Sequence, residues 1–120
     1  MNIRWTGLTA GIPKRSDQIV LISAPDDVIK LLADPLRARI VALLAEGPAC
    51  TCHLVDDTGA TQPNVSNHLR ALRHAGVVVP EPRGRYTYYR VRPEALEAAA
   101  DHLSTLAARA RATVELRREC

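Results

Sequence analysis

The chain has 120 residues, which is enough for one domain with a hydrophobic core but too few for a separate catalytic module beside it. Its composition, 47% hydrophobic and 24% charged, is typical of a globular protein and not of a disordered one. Sixteen Lys and Arg against thirteen acidic residues give a net charge of +3, which is compatible with a polyanionic partner, and the predominance of Arg suits phosphate and guanine contacts.

The sequence does not predict a membrane protein or a secreted protein. The longest apolar stretch, Ile19 to Ala24, is far too short to span a bilayer. The first five residues, Met1 to Trp5, lack the charged and apolar regions of a secretory signal. Three cysteines in a chain without a leader argue against a disulfide scaffold. We therefore expect a cytoplasmic protein with no membrane partner.

The first 24 residues contain Gly and Pro and show no sustained period, so residues 1–24 are predicted to form an N-terminal arm. Residues 25–120 are predicted to form the folded domain. Its first helix is expected to begin near Asp26, where an acidic first turn precedes apolar residues, and to end at Asp34.

Two further helices follow. Asp34 and Pro35 resemble an N-cap and a first helical residue, and Gly47 supplies a stop after a run of apolar residues at helical spacing. A short third helix is predicted over residues 51–58, and Gly59 ends it.

A fourth helix, a β-hairpin and a last helix are predicted next. Thr61 is a predicted cap for a helix over residues 62–75, after which the period changes to that of a hairpin with strands at Val77–Val79 and Tyr86–Val91. An Ala- and Leu-rich helix is then expected from Pro93 to about Arg118. The order of four helices, a hairpin and a last helix predicts a mainly α fold with a β-hairpin wing, a winged helix-turn-helix.

The helix over residues 62–75 has the composition of a DNA-reading helix. Val65, Leu69 and Leu72 form one apolar stripe, and the opposite face carries Asn67, Arg70 and His74 beside Pro63. Asn can pair with adenine and Arg with guanine in the major groove, whereas groups on the flanks are better placed for phosphate. A merely solvated polar face is the alternative. The candidate DNA-contacting residues of this helix are Gln62, Pro63, Asn64, Ser66, Asn67, His68, Arg70 and Arg73.

The predicted wing carries a second set of candidates. Arg83 and Arg85 flank Gly84, and Tyr86 follows, so the tip has two cations around a residue that permits close approach to a DNA backbone or minor groove. A charged hairpin tip that only keeps the protein soluble is the alternative.

The last helix has a heptad-like apolar seam with alternating spacings of four and three residues. Small Ala residues in the seam would let two helices approach closely, and a two-fold dimer would place two reading helices about 34 Å apart, one DNA turn. Packing onto its own domain is the alternative. The seam residues are Leu96, Ala100, Leu103, Ala107, Ala110 and Val114.

Three runs together, "LADPLRARIVALLAEG", "TQPNVSNHLRALRHAGVV" and "GRYTYYRV", resemble the ArsR/SmtB family of metal- and metalloid-responsive repressors. The resemblance covers roughly residues 26–118. It implies a homodimer that binds double-stranded operator DNA when empty and releases it when an inducer binds, with no constitutive cofactor. An enzyme is not expected, because no Ser/His/Asp set, phosphate loop or carboxylate pair in a suitable context is visible.

The run "PACTCHL" carries Cys50 and Cys52, where arsenical-responsive members of the family have a Cys-x-Cys pair. Thiolates are soft ligands that select soft ions, and a helix N-terminus favours them. The resemblance thus implies As(III) or Sb(III) as inducer. Cd(II), Pb(II) or thiol oxidation is the alternative stimulus, and two small buried hydrophobic residues are the alternative reading of the pair.

The third ligand is open at this stage. Some arsenical sensors have a cysteine three residues past the second, where this chain has Val55. Cys120 is the remaining thiol and is a candidate ligand from its own or the partner subunit, although it can equally be a terminal residue without a role. His53 is a further candidate. A second metal site on the last helix, as in other family members, is not expected, because no His follows His102.

Overall fold

The computed structural model describes residues 22–120, which form five helices and a three-stranded sheet. The elements in chain order are α1 (Pro25–Leu31), α2 (Pro35–Leu44), β1 (Ala49–Cys50), α3 (Thr51–Thr58), α4 (Gln62–His74), β2 (Val78–Arg83), β3 (Tyr86–Val91) and α5 (Pro93–Ala112). This order confirms the predicted mainly α fold with a hairpin wing.

The helix starts are set by caps that the sequence predicts. The Asp34 side chain accepts hydrogen bonds from the backbone N–H groups of Leu36 and Arg37 at 2.9 and 3.1 Å, and Pro35 follows as the first helical residue. The Thr61 hydroxyl accepts the N–H of Asn64 at 3.3 Å. Since both caps occupy donors that a helix leaves unpaired, they fix where α2 and α4 begin.

The sheet has the strand order β1-β3-β2, and both pairs are antiparallel. The wing is the hairpin of β2 and β3, and Gly84 in its turn has a φ of +64°, which glycine adopts without strain. β1 was not predicted. It has only two residues and places Ala49 and Cys50 opposite Tyr89 and Tyr88.

One apolar core joins all the helices. α1 packs against α5, while α3 packs against α2 and α4. The predicted apolar stripe of α4 is buried in this core, with Val65, Leu69 and Leu72 at most 2% exposed. The other core residues are Val28, Ile40, Val41, Leu44, Leu54, Ala75, Val77, Val78, Val91, Ala95 and Ala99.

The predicted ends of two helices were wrong. α1 stops at Leu31 and not at Asp34, because the extended backbone of Asp34 belongs to the cap of the next helix. α5 stops at Ala112 and not near Arg118. At this end the Thr113 hydroxyl donates to the carbonyl of Arg109 at 3.0 Å, a side-chain bond that competes with continued helix.

The first wing strand is longer than predicted. It runs from Val78 to Arg83 and includes Pro80 and Pro82, whereas the sequence predicted a strand over Val77–Val79. Proline is tolerated here because β2 is an edge strand that pairs only with β3. α4 ends at His74, one residue before its predicted end.

Most of the predicted arm, residues 1–21, lies outside the described residues. The end of that arm contacts the domain: Ile22 packs against the core, and the N–H of Ser23 donates to the carbonyl of Ala75 at 2.9 Å. Within residues 22–120, no helix is both long enough and apolar enough to cross a membrane.

The buried face of α4 generates a stability prediction. Leu72 is fully buried, so Leu72→Ala should lower the free energy of unfolding by about 2–5 kcal/mol through lost apolar burial and a residual cavity. Leu116, which is 73% exposed, is the matched control, and Leu116→Ala should change it by no more than about 0.5 kcal/mol. Urea titrations at one protein concentration measure both values. Equal losses in the two variants would contradict this assignment of the core.

Candidate functional site

The polar side of α4 faces outward. With its apolar stripe buried in the core, the helix exposes Gln62, Pro63, Asn64, Asn67, Arg70, Arg73 and His74, while Ser66 and His68 are half-buried. The guanidinium of Arg70 donates to the Asn67 side-chain oxygen at 2.8 Å. Two groups able to read base edges are thereby held side by side one turn apart.

His68 lies on the inner edge of this helix and not on its outer face. Its Nδ1 accepts a hydrogen bond from Arg37 Nε at 2.9 Å, and its Nε2 is 3.9 Å from a carboxylate oxygen of Asp34. The hydrogen bond from the backbone N–H of Arg37 is the largest influence on Asp34 and lowers the pKa of its carboxyl group, so that this partner is ionised near neutral pH. The structure therefore places His68 in a link between α4 and the start of α2.

An open groove of about 720 Å³ separates the outer part of α4 from the sheet. The basic side chains of the helix line it together with Tyr89 of β3. A positively charged groove of this kind suits a phosphate backbone. The residues that line it are Ser66, Leu69, Arg70, Arg73, His74 and Tyr89.

The wing presents further charges, on the hairpin that also contributes Tyr89 to this groove. Arg83, Arg85 and Tyr86 are exposed around the turn, as the sequence predicts. Glu81 of β2 binds Arg90 of β3 at 2.7 Å and approaches Arg83 at 3.7 Å. Arg90 was not among the predicted residues, because the sequence does not give the cross-strand register that brings it to Glu81.

Cys50 and Cys52 meet at the junction of β1 and α3. Side chains two residues apart on a regular helix point about 200° apart, which would separate the two sulfurs. Cys50 avoids this because it is the extended N-cap of α3, with φ −93° and ψ 170°, and not a helical residue. The two Sγ atoms are 2.7 Å apart, and both cysteines are free thiols.

His53 adds a nitrogen to the sulfur pair. Its Nδ1 accepts the backbone N–H of Cys50 at 3.2 Å and lies 3.4 Å from Cys50 Sγ. One donor atom from each of Cys50, Cys52 and His53 lies within 4.8 Å of the others. Two thiol sulfurs and one imidazole nitrogen form a donor set that fits a thiophilic ion.

The two thiols have different acidities. Burial opposes ionisation of Cys50, which is 5% exposed, but hydrogen bonds from the Cys52 thiol and the His53 backbone N–H outweigh it and lower the pKa of the Cys50 thiol. Donation to Cys50 raises the pKa of Cys52. Cys50 is thus the first thiolate to form, with Cys52 as its hydrogen-bond donor, and thiolate is the form that binds metals and metalloids.

The third cysteine lies apart from this pair. Cys120 is exposed, follows the end of α5, and is not part of the donor group formed by Cys50, Cys52 and His53. Within one subunit, the structure therefore brings together two of the three predicted sulfur ligands, and it places His53 where the sequence left the third ligand open.

The predicted seam on α5 divides into two parts. Leu96 packs partly against the core of its own domain. The other seam residues are exposed, and Leu106, which was not predicted, lies exposed among them at 43%. The exposed part of the seam on α5 is formed by Ala100, Leu103, Ala107 and Ala110, whereas Val114, which was predicted to belong to it, lies exposed beyond Ala112, where the helix ends.

Known regulatory proteins are similar in sequence to part of this chain. The arsenic resistance transcriptional regulator ArsR1 of Pseudomonas putida is 43% identical over 74 residues, 61% of this chain and 58% of that protein. The arsenical resistance operon repressor of Escherichia coli is 39% identical over 70 residues, 58% of this chain and 60% of that protein. The chain thus matches less than two thirds of the length of both.

A third relative is matched over more of its length. The transcriptional regulator Rv2034 of Mycobacterium tuberculosis is 36% identical over 87 residues, which cover 72% of this chain and 81% of that protein.

Two solved structures are also similar to this chain. A crystal structure described as a possible transcriptional regulator for arsenical resistance is 34% identical, with a TM-score of 0.60 over 64% of this chain and 80% of that one. A homodimeric winged helix-turn-helix DNA-binding domain from Mycobacterium bovis has a TM-score of 0.56 at 25% identity, over 92% and 99% of the two chains.

A sequence profile supplies the family. The profile described as "Bacterial regulatory protein, arsR family" matches residues 34–79, which run from the cap of α2 to the first wing strand. With the relatives above, this match identifies the chain as a member of the ArsR family of bacterial regulatory proteins, with the winged helix-turn-helix fold of that family.

Proposed function

We propose that this regulator is a homodimeric repressor that binds double-stranded operator DNA and releases it when As(III) or Sb(III) binds Cys50 and Cys52. The observation that carries the proposal is the 2.7 Å separation of the two sulfurs at the start of the helix that precedes the recognition helix. Two relatives, named an arsenic resistance regulator and an arsenical resistance operon repressor, support the choice of inducer.

The DNA interface in this proposal is the outer face of α4 together with the wing. α4 contributes Arg70 and Asn67 as base-reading groups, and Arg73 lies in the groove that faces the sheet. Exposed Arg83 and Arg85 on the wing then reach phosphates on either side of the major groove. Gln62, Pro63, Asn64, Ser66 and Tyr86 complete the proposed contact set, and His68 holds the helix from behind.

The dimer in this proposal is formed through α5. Leu103 and Leu106 are 51% and 43% exposed on a helix whose other side packs on the core. Covering large apolar side chains of this kind stabilises an assembly. The structure from Mycobacterium bovis is described as homodimeric, which supports a homodimer for this fold.

The inducer acts through the junction of β1 and α3. Cys50 has the lower pKa of the two thiols, so it provides a thiolate beside Cys52. Because α3 packs directly against α4, a change in the first turn of α3 can alter the angle of the recognition helix. Coupling of this kind is typically about 1–3 kcal/mol, which corresponds to about 5–150-fold in operator affinity.

Arg70 and Arg85 should differ in their effect on DNA binding. Arg70→Ala should weaken binding to the operator by about 1–3 kcal/mol and relax the preference at one base position, because a base contact is lost. Arg85→Ala should weaken binding to all sequences alike and lower the salt slope by about 1, because a phosphate contact is lost. Fluorescence anisotropy at several salt concentrations, with operator and scrambled DNA, measures both. Equal losses on the two DNAs in Arg70→Ala would exclude base reading by that residue.

Leu103→Glu should yield monomers. The change would bury an unpaired charge in the proposed α5 interface, which is strongly unfavourable, and a monomer should bind the operator poorly because it reaches only one half-site. Asp101→Lys also changes a charge, but it lies about 200° around the helix from Leu103 and should leave a dimer. Sedimentation velocity distinguishes the outcomes, and a dimeric Leu103→Glu protein would exclude this interface.

Cys50→Ser and Cys52→Ser should each abolish release by arsenite while leaving most operator affinity, because one thiolate cannot chelate and a hydroxyl is a harder ligand. Cys120→Ser, at an exposed residue outside the donor group, is the matched control and should respond almost as the unaltered protein does. Operator-release titrations measure the three responses, with Cd(II), Pb(II) and peroxide as parallel stimuli. A normal arsenite response in Cys52→Ser would refute the sensing role and leave DNA binding intact, and release by peroxide alone would favour thiol oxidation.

A further inference from the structure

We propose that occupation of the Cys50–Cys52 pair is transmitted to the wing through His53 and Tyr88, with Tyr88 as the positioning residue for Arg83. This route acts in addition to the contact between α3 and α4. It rests on the proposed function, since it requires the thiol pair to take an inducer.

The route follows a row of residues across the sheet. Cys50 on β1 lies opposite Tyr88 on β3, and Tyr88 lies opposite Glu81 on β2. Residues directly opposite one another in antiparallel strands share a face and have Cβ atoms about 4.5–5.5 Å apart. The unpredicted strand β1 thus places the thiol site beside the wing, on the same face of the sheet as Tyr88.

His53 connects the thiol pair to the Tyr88 ring. Its ring centre is 5.9 Å from that of Tyr88, at an angle of 60° between the planes, an edge-to-face distance at which aromatic rings attract. The single lone pair of His53 Nδ1 is already engaged by the backbone N–H of Cys50. If Nδ1 ligates an inducer, its hydrogen bond with the Cys50 backbone N–H is lost. If the inducer instead occupies the space of the ring, His53 is displaced. In both cases the imidazole leaves its present position against Tyr88.

The other contacts of Tyr88 belong to the wing. The guanidinium carbon of Arg83 is 5.8 Å from the centre of the Tyr88 ring, within the range of a cation–π contact. Glu81, across the strand from Tyr88, binds Arg90 at 2.7 Å and lies 3.7 Å from Arg83. The side chain of Arg83 is 63% exposed, so few contacts hold it. The contacts that the structure shows, with the Tyr88 ring and with Glu81, set its direction.

The consequence is a change in the wing that does not depend on α4. When His53 leaves the Tyr88 ring, the ring can turn, and Arg83 loses the surface on which it is held. A wing cation that is no longer directed at DNA contributes less to operator affinity, so the inducer lowers affinity at the wing as well as at the recognition helix.

The test compares operator affinity with and without saturating arsenite, and each variant is normalised to its own arsenite-free value. Tyr88→Leu should still bind arsenite, but the ratio of the two affinities should fall at least about 5-fold, the lower end of typical coupling. Tyr88→Phe keeps the ring and should retain the ratio of the unaltered protein. Tyr86→Leu removes a wing tyrosine opposite Arg83 without a described contact to His53, and its ratio should be unchanged even if its affinity is lower.

A spectroscopic readout that needs no arsenite accompanies these titrations. With 3-fluorotyrosine in the protein, His53→Ala should shift the 19F resonance of Tyr88 and leave that of Tyr86 in place. Because His53 is exposed, His53→Ala should fold, and it can test the contact with Tyr88 even if Tyr88→Leu does not fold. Added arsenite should shift the same resonance in the unaltered protein.

The outcomes separate this proposal from the proposed function. An unaltered ratio in Tyr88→Leu, a loss in Tyr88→Phe equal to that in Tyr88→Leu, or an unmoved Tyr88 resonance in His53→Ala would overturn the route through the wing. Failure of arsenite to protect the Cys50 and Cys52 thiols from Ellman's reagent would instead overturn the sensing function. The resonance shift in His53→Ala reports on the contact itself in either case.

Discussion

The extended backbone of Cys50 is the constraint on which the candidate site depends. Cys50 ends β1 and caps α3, so one residue belongs both to the sheet and to a helix. Because it is not helical, its sulfur turns toward Cys52, and because it is a strand residue, it faces Tyr88. A helical conformation at this position would separate the two sulfurs. It would also remove the pairing that places the thiol site opposite the wing residue Tyr88.

The recognition helix is constrained from the opposite side. Its apolar stripe is buried, which leaves only one orientation in which the polar face meets solvent. The link from His68 to Arg37 and Asp34 then ties α4 to the capped start of α2. α4 therefore lies between the start of α2, to which His68 links it, and the short helix α3, which begins at the thiols.

Basic side chains are exposed on both the recognition helix and the wing. The basic groups of α4 line a groove that Tyr89 of the sheet also lines, and the wing cations are exposed on a separate element. Glu81 lies among the wing cations and directs two of them by ion pairs. Ion pairs between exposed groups are weak individually, so these contacts hold the wing cations in place with little energy.

The sequence by itself determined the order of the five helices and the hairpin, because caps, turn glycines and apolar periodicity are local signals: Asp34, Thr61 and the stripe of α4 lie where they were predicted. It also determined that Cys50 and Cys52 begin a helix. Only the tertiary structure decided the rest. A two-residue strand has too short a pattern to be read from sequence, and its pairing with Tyr88 depends on register between segments almost forty residues apart. The inward turn of His68, the approach of His53 to the sulfurs and the position of Arg83 over Tyr88 all follow from packing between elements, which periodicity along the chain does not encode.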